Sequence, residues 1–152
     1  MTFRIPGASW QIVFSDEALG VLDTHRQRRT NSRESVGQIY TADLTQCDVV
    51  VQLATVLEPM TASIHSVAFS PEAARREREV LFERGLHCIG LWHSHPQRYP
   101  TPSGLDLQLA ADHARAARGH ITGILFAIVG TAAFPEGLFV GVHDSERLLR
   151  AI

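Results

Sequence analysis

Residues 87–106 read His87-Cys88-Ile89-Gly90-Leu91-Trp92-His93-Ser94-His95-Pro96-Gln97-Arg98-Tyr99-Pro100-Thr101-Pro102-Ser103-Gly104-Leu105-Asp106. The stretch from His87 to His93 is short, apolar and β-leaning, which predicts a buried strand. Pro96, Pro100 and Pro102 then impose a loop, because proline continues neither a helix interior nor a sheet ladder. From about Ser103 to Arg118 the spacing predicts a helix that ends at Gly119, with Leu107, Ala110, Ala114 and Ala117 as its inward stripe.

The flanking sequence alternates between short apolar runs and helical periods. Trp10–Phe14 reads as a strand. Ser15 then caps a helix in which Ala18, Val21, Leu22 and His25 share a face. Val36–Tyr40, Asp48–Leu57 and His65–Phe69 read as strands. Ser70-Pro71 opens a second helix that Gly85 closes. After the 103–118 helix come two more strands, Ile121–Val129 and Leu138–Val142, and a short terminal helix, Ser145–Arg150. The sum is an α/β fold with a central sheet and flanking helices.

Composition narrows the function classes. The chain has 152 residues, 45% hydrophobic and 20% charged, enough for one domain with one sizeable core. A net charge of -2 gives no reason to expect nucleic acid or an anionic membrane as partner. No run is long and apolar enough to span a bilayer, and the N-terminus lacks a signal-peptide pattern, so a cytoplasmic location is expected. Cys47 and Cys88 show no disulfide spacing and read as small buried hydrophobes.

The chemistry lies in the opening stretch. Strand residues two apart project from one face, so His93 and His95 aim two imidazoles at one point. A catalytic zinc takes three protein ligands and keeps a fourth position for water. Asp106 is placed to be the third, because it falls on or beside the inward stripe. A carboxylate facing a sheet is costly unless it is paired or metal-bound. By themselves, Ser103 and Asp106 read equally as a helix-capping pair, and an isolated His-x-His is a weak metal pattern. It is their conjunction across a proline loop that points to a metal. Cys88 has the strand parity of Trp92 and is expected on the opposite face from the ligands. His87 is roughly 20 Å from His93 along a strand, and His113 about two helical turns from Asp106, so both are expected to be packing residues.

His93-Ser94-His95-Pro96 followed by Ser103-Gly104-Leu105-Asp106 resembles the signature of the JAMM metalloprotease family, also called the JAB/MPN domain. That signature is His-Ser/Thr-His-Pro, a spacer, then Ser-x-x-Asp, with a glutamate well upstream. The resemblance covers the length of one minimal domain, residues 1–152. It implies a sheet flanked by helices in a cytidine-deaminase-like architecture, with one Zn2+ ion held by His93, His95 and Asp106. It also carries the upstream acid over to Glu34, as the base that handles the attacking water, and gives Ser103 the hydrogen bond to the oxyanion. Here the family's usual glycine pair after that acid is reduced to Gly37. The implied activity is hydrolysis of the amide bond after the tail of a ubiquitin-like protein, in processing or deconjugation. The compact prokaryotic members also imply partners: E1- and E2-like enzymes, in some cases of antiphage conjugation operons. A peptidase for sulfur-carrier proteins and a non-catalytic MPN scaffold stay open as alternatives. A zinc deaminase requires a Pro-Cys-x-x-Cys pair that this sequence lacks.

Overall fold

The computed structural model describes residues 1–29, 31–63 and 67–152. In chain order the described elements are β1 (Thr2–Arg4), β2 (Gln11–Phe14), α1 (Asp16–Thr24), β3 (Val36–Thr41), β4 (Val49–Val51), β5 (Leu53–Ala54) and β6 (Pro59–Ala62). They continue with β7 (Val67–Phe69), α2 (Pro71–Phe82), β8 (His87–Ser94), α3 (Gly104–Ala117), β9 (Ile124–Val129), β10 (Leu138–His143) and β11 (Leu148–Arg150). The strand expected from His65 thus begins outside the described residues, and β7 is its described part.

The main sheet runs β11-β10-β9-β8-β3-β5, and only β8 and β9 pair in parallel. A parallel pair needs a crossover, and α3 supplies it. Both faces of this sheet are covered, so β9 is apolar throughout rather than alternating with polar residues. Its Leu125, Ala127 and Val129 join Phe14, Leu22, Ile39 and Trp92 in a core toward α1 and the smaller β1-β2-β4 sheet. Its Phe126 and Ile128 pack with Leu91, Ala110 and Phe139 under α3. Each large side chain so buried contributes roughly 1.5–3 kcal/mol.

The helix boundaries follow their caps. Ser15 accepts from the Ala18 N–H, and Ser70 from the Ala73 N–H with Pro71 in the first turn. Gly85 (φ +75°) and Gly119 (φ +96°) take the left-handed turns beyond α2 and α3. Polar contacts seat α2 on the sheet: Glu77 Oε1 accepts from Gln38 Nε2 (2.8 Å), Tyr40 OH (2.8 Å) and Thr55 Oγ1 (2.6 Å).

Several expectations are corrected. Residues 145–150 form no helix. Asp144 Oδ1 accepts the Glu146 and Arg147 N–H groups, both at 2.9 Å, which closes a hairpin and sends β11 back along β10. The run Asp48–Leu57 is two strands. The chain leaves β4, paired with β2, and enters β5, paired with β3, at Gln52. Cys47 is exposed rather than buried, because it sits in the loop before β4; both cysteines are free thiols. On α3 the buried stripe is Asp106, Ala110 and Ala114, whereas Leu107 is exposed. β1 and β6, both short, carry no apolar alternation long enough to read.

Two glycines mark where backbones approach most closely. A Cβ at Gly37 would lie 1.8 Å from the Thr55 carbonyl oxygen, and one at Gly90 would lie 1.9 Å from that of Leu125. At exposed Gly20, within α1, nothing lies within 4 Å. Gly37→Ala and Gly90→Ala are therefore expected to destabilise by more than about 3 kcal/mol, and Gly20→Ala to stabilise by roughly 0.5–1 kcal/mol. Urea unfolding of the three variants measures the contrast.

Candidate metal centre

The parallel register His93↔Ile128 and Ser94↔Val129 ends β8, and the His95 N–H continues the ladder by donating to the Val129 carbonyl at 2.8 Å. Extended geometry is thereby kept through His95, and the two imidazoles emerge on the same side. The crossover loop then delivers the first turn of α3 to this end of the strand. His93 Nε2 and His95 Nε2 are 2.9 Å apart. Asp106 Oδ1 is 3.1 Å from His93 Nε2, and its Oδ2 is 3.4 Å from His95 Nε2. Among the described residues this is the one trio of His, Cys, Asp or Glu whose donor atoms gather within 4.8 Å of one another.

This arrangement fits a metal ion. Tetrahedral ligands bound at ~2.0–2.1 Å are separated by roughly 3.3–3.4 Å; the two Asp106 oxygens, at 3.1 and 3.4 Å from the imidazole nitrogens, are near this range, and the nitrogens at 2.9 Å are somewhat closer. Two imidazole nitrogens facing each other at 2.9 Å have at most one proton to share, and a cation between them satisfies both lone pairs as well as the carboxylate.

Ser103 and Asp106 also form a capping box. The Asp106 N–H donates to Ser103 Oγ at 3.2 Å, and the Ser103 N–H donates to Asp106 Oδ2 at 2.6 Å. Capping and ligation are therefore compatible in one carboxylate. The backbone bond to Oδ2 fixes the rotamer, leaving both oxygens facing the histidines. Burial pushes the Asp106 carboxyl up, but the hydrogen bond and charge of His93, with the Ser103 bonds, outweigh it and hold the group below the usual carboxylate range. His95 is held below the ordinary imidazole value by burial and by neighbouring His93.

Glu34 reaches the same cleft from the segment just before β3. The antiparallel register Val36↔His93 brings the residues before β3 level with the histidine end of β8. The Ser35 N–H donates to Ser94 Oγ and the Ser94 N–H to the Ser35 carbonyl, both at 2.9 Å, while the Glu34 N–H donates to the Ser63 carbonyl at 2.8 Å. The side chain is 5% exposed and lines a cleft of about 410 Å³ shared with Phe69, His93, His95, Ser103 and Asp106. Glu17 and Glu58 are exposed and line no part of it.

The other singled-out residues fall as follows. His113 packs against the Phe69 ring, with centroids 6.3 Å apart, and Trp92 is fully buried, its Nε1–H donating to the Thr55 carbonyl. His87 packs its ring on Phe82. Cys88 contradicts the parity expectation. Gly90 opposes Ile39 while Cys88 opposes Tyr40, so Ile89 is an extra residue that reverses the alternation. Cys88 Sγ therefore reaches Gln38 Oε1 (3.7 Å) on the helix-covered face, and Ile89 joins Trp92 in the opposite core. Sequence reasoning missed the role of Ser94, whose hydroxyl anchors Ser35. Its place between two histidines drew attention only to the face it avoids.

Burial, and then the charge of Asp106, push the Glu34 carboxyl up to about 7. A carboxylate whose folded value exceeds its unfolded one costs stability as pH rises through that interval. For the chelator-treated chain, Glu34→Gln is expected to gain on wild type between about pH 4.5 and 7. At pH 8 it should be more stable by about 1–3 kcal/mol, with little difference at pH 4. Urea unfolding across pH measures the gap.

Residues 19–140 match the family model described as prokaryotic homologs of the JAB domain. A protein from Desulfitobacterium hafniense, solved in solution, shares the fold at a TM-score of 0.64 and 18% identity, covering 91% of this chain and 88% of its own. One from Salinibacter ruber does so at 0.56 and 19%, covering 91% and 87%. No curated protein matches the sequence at a significant level. With its family model matched over most of its length, and the His-x-His and Ser-x-x-Asp residues gathered at one cleft, this chain belongs to the prokaryotic JAB-domain family.

Proposed function

We propose that the chain is a zinc-dependent peptidase that hydrolyses the amide bond after the tail of a ubiquitin-like protein. The observation that carries the hydrolase reading is the convergence on one cleft of a buried carboxylate from just before β3 with a His-His-Asp trio from the end of β8 and the start of α3. The ubiquitin-like substrate is drawn from family membership. Partner E1- and E2-like enzymes are proposed on the same ground, and Zn2+ rather than another ion on the nitrogen-rich donor set.

Bound by His93, His95 and Asp106, zinc would lower the pKa of a water from about 15.7 toward roughly 7 and polarise the scissile carbonyl. A dication nearby favours the ionised form of Glu34, so its carboxylate is ready to take the proton of the attacking water. The same Oε then returns that proton to the departing amine. Ser103 Oγ already accepts the Asp106 N–H, which leaves its own proton free to donate to the developing oxyanion. Val36, Leu91 and Leu109 give the cleft an apolar wall, which restricts water around these groups.

The test uses linear and isopeptide-linked ubiquitin-like fusions. Cleavage by the zinc-loaded chain is expected to stop with chelator and return with Zn2+. Glu34→Gln should keep zinc and lose about 10²–10⁴-fold in rate, and Ser103→Ala about 10²–10³-fold. A wild-type chain that binds zinc but cleaves neither fusion would instead make it a non-catalytic member, and undiminished cleavage by Glu34→Gln would remove the base from the mechanism.

A further inference from the structure

The loop from Pro96 to Pro102 is fixed against the chain that leaves the end of β9. The Thr131 N–H donates to the Gln97 carbonyl at 2.9 Å, and the Ala132 N–H to that of Arg98 at 3.2 Å. Gly130 permits this contact: a Cβ there would stand 2.6 Å from Pro100 Cδ and 2.7 Å from the Gln97 carbonyl oxygen. With its backbone held, the Gln97 side chain folds back toward the strand. Its Oε1 accepts the Thr101 N–H at 3.0 Å and lies 3.4 Å from His95 Nδ1.

These two contacts together favour one tautomer of His95. A backbone N–H only donates, so the group facing Thr101 must be the amide oxygen; the reversed amide would set N–H against N–H. That same oxygen, on an exposed side chain, offers only lone pairs to His95 Nδ1 at 3.4 Å, so the contact is a hydrogen bond when Nδ1 carries the proton. Nε2 is then the unprotonated nitrogen, and it is the one turned to His93 and Asp106. We propose that Gln97 is a positioning residue of the metal centre, accepting the His95 Nδ1–H and holding the ring in the tautomer and orientation in which Nε2 takes the ion. This rests on the metal reading above and extends it to a residue outside the His-x-His and Ser-x-x-Asp pattern. The role is the one a carboxylate, a backbone carbonyl or a water usually fills behind a metal-bound histidine. Here an amide oxygen fills it, itself oriented by the loop.

Competition with a chromophoric chelator gives the Zn2+ affinity of wild type, Gln97→Met and Gln97→Glu. Methionine keeps the length and removes the acceptor, and is expected to weaken binding by about 10–100-fold. Glutamate keeps an acceptor at the same place and is expected to bind within about threefold of wild type or more tightly. In the zinc-loaded wild type the His95 Nδ1–H should give a slowly exchanging downfield proton signal, kept in Gln97→Glu and lost to solvent exchange in Gln97→Met. A role confined to shaping the loop would leave that signal in place, which would overturn the inference. So would wild-type affinity in Gln97→Met, or a tenfold loss in Gln97→Glu. A wild type that takes up no zinc overturns the metal reading itself and this inference with it, an outcome distinct from the others.

Discussion

The parallel pairing of β8 with β9 is the constraint on which the site depends. Two parallel neighbours cannot be joined by a tight turn, so the chain must cross over one face of the sheet, and α3 is that crossover. Its start is then obliged to lie near the carboxyl end of β8, where the last strand residues are His93 and, one ladder bond further, His95. A helix beginning there brings its N3 residue, Asp106, to the pair. The third candidate ligand needs no special loop to reach the first two. The same logic places binding sites at the carboxyl ends of parallel strands in open α/β sheets generally. Glu34 comes from the other side by a separate constraint, the antiparallel register of β3 on β8, reinforced by the Ser94 hydroxyl.

The capping box is the second element of organisation. A cap of this kind contributes on the order of 1 kcal/mol to a helix, little compared with the burial of Phe126, Ile128 and Leu91 beneath α3. Its larger effect is directional. Asp106 has a short side chain, and the bond from the Ser103 N–H removes one of its few rotational freedoms. The aspartate is therefore pre-set for ligation by a bond whose ordinary purpose is to start a helix. Ser103 gains likewise: accepting from the Asp106 N–H orients its oxygen and leaves its hydroxyl proton uncommitted.

How much of this was legible in the sequence depended on whether local chemistry or long-range pairing decides each element. His93 and His95 could be placed because a period of two survives in any strand, and Asp106 because a Ser-x-x-Asp start is written in residues that contact only each other. The hairpin at 144–147 shows where such reading stops. A side-chain oxygen that accepts N–H groups two and three residues on begins a helix or closes a turn with the same bonds. The free edge of β10 decides between them, and nothing within Asp144-Ser145-Glu146-Arg147 records that edge. The extra residue at Ile89 is a stronger case. It reverses the parity of everything before it on β8, so Cys88 changes faces with no change in composition. Glu34 was found by resemblance, since its environment is made by Ser63, Ser94 and Asp106, none of them its sequence neighbours.

The electrostatics of the cleft argue that its present form is adapted to a cation. Glu34 and Asp106 are both buried; burial and the charge of Asp106 oppose ionisation of Glu34, while His93 and the Ser103 bonds offset the burial of Asp106. Two imidazole nitrogens 2.9 Å apart have at most one proton to share, and a cation in its place would satisfy both lone pairs. A chain selected for stability alone could replace these groups with apolar residues of similar volume, as buried ionic clusters can generally be replaced with little loss or some gain. The surrounding structure instead fixes them: a ladder bond holds His95, a backbone N–H holds Asp106, and a serine hydroxyl ties down the residue beside Glu34. Each of those bonds prevents the side chains from relaxing apart. A single dication would offset both carboxylates at once, and binding free energy gained in this way would also be folding free energy. The contacts that already hold these residues in place would let an ion bind without rearranging the fold.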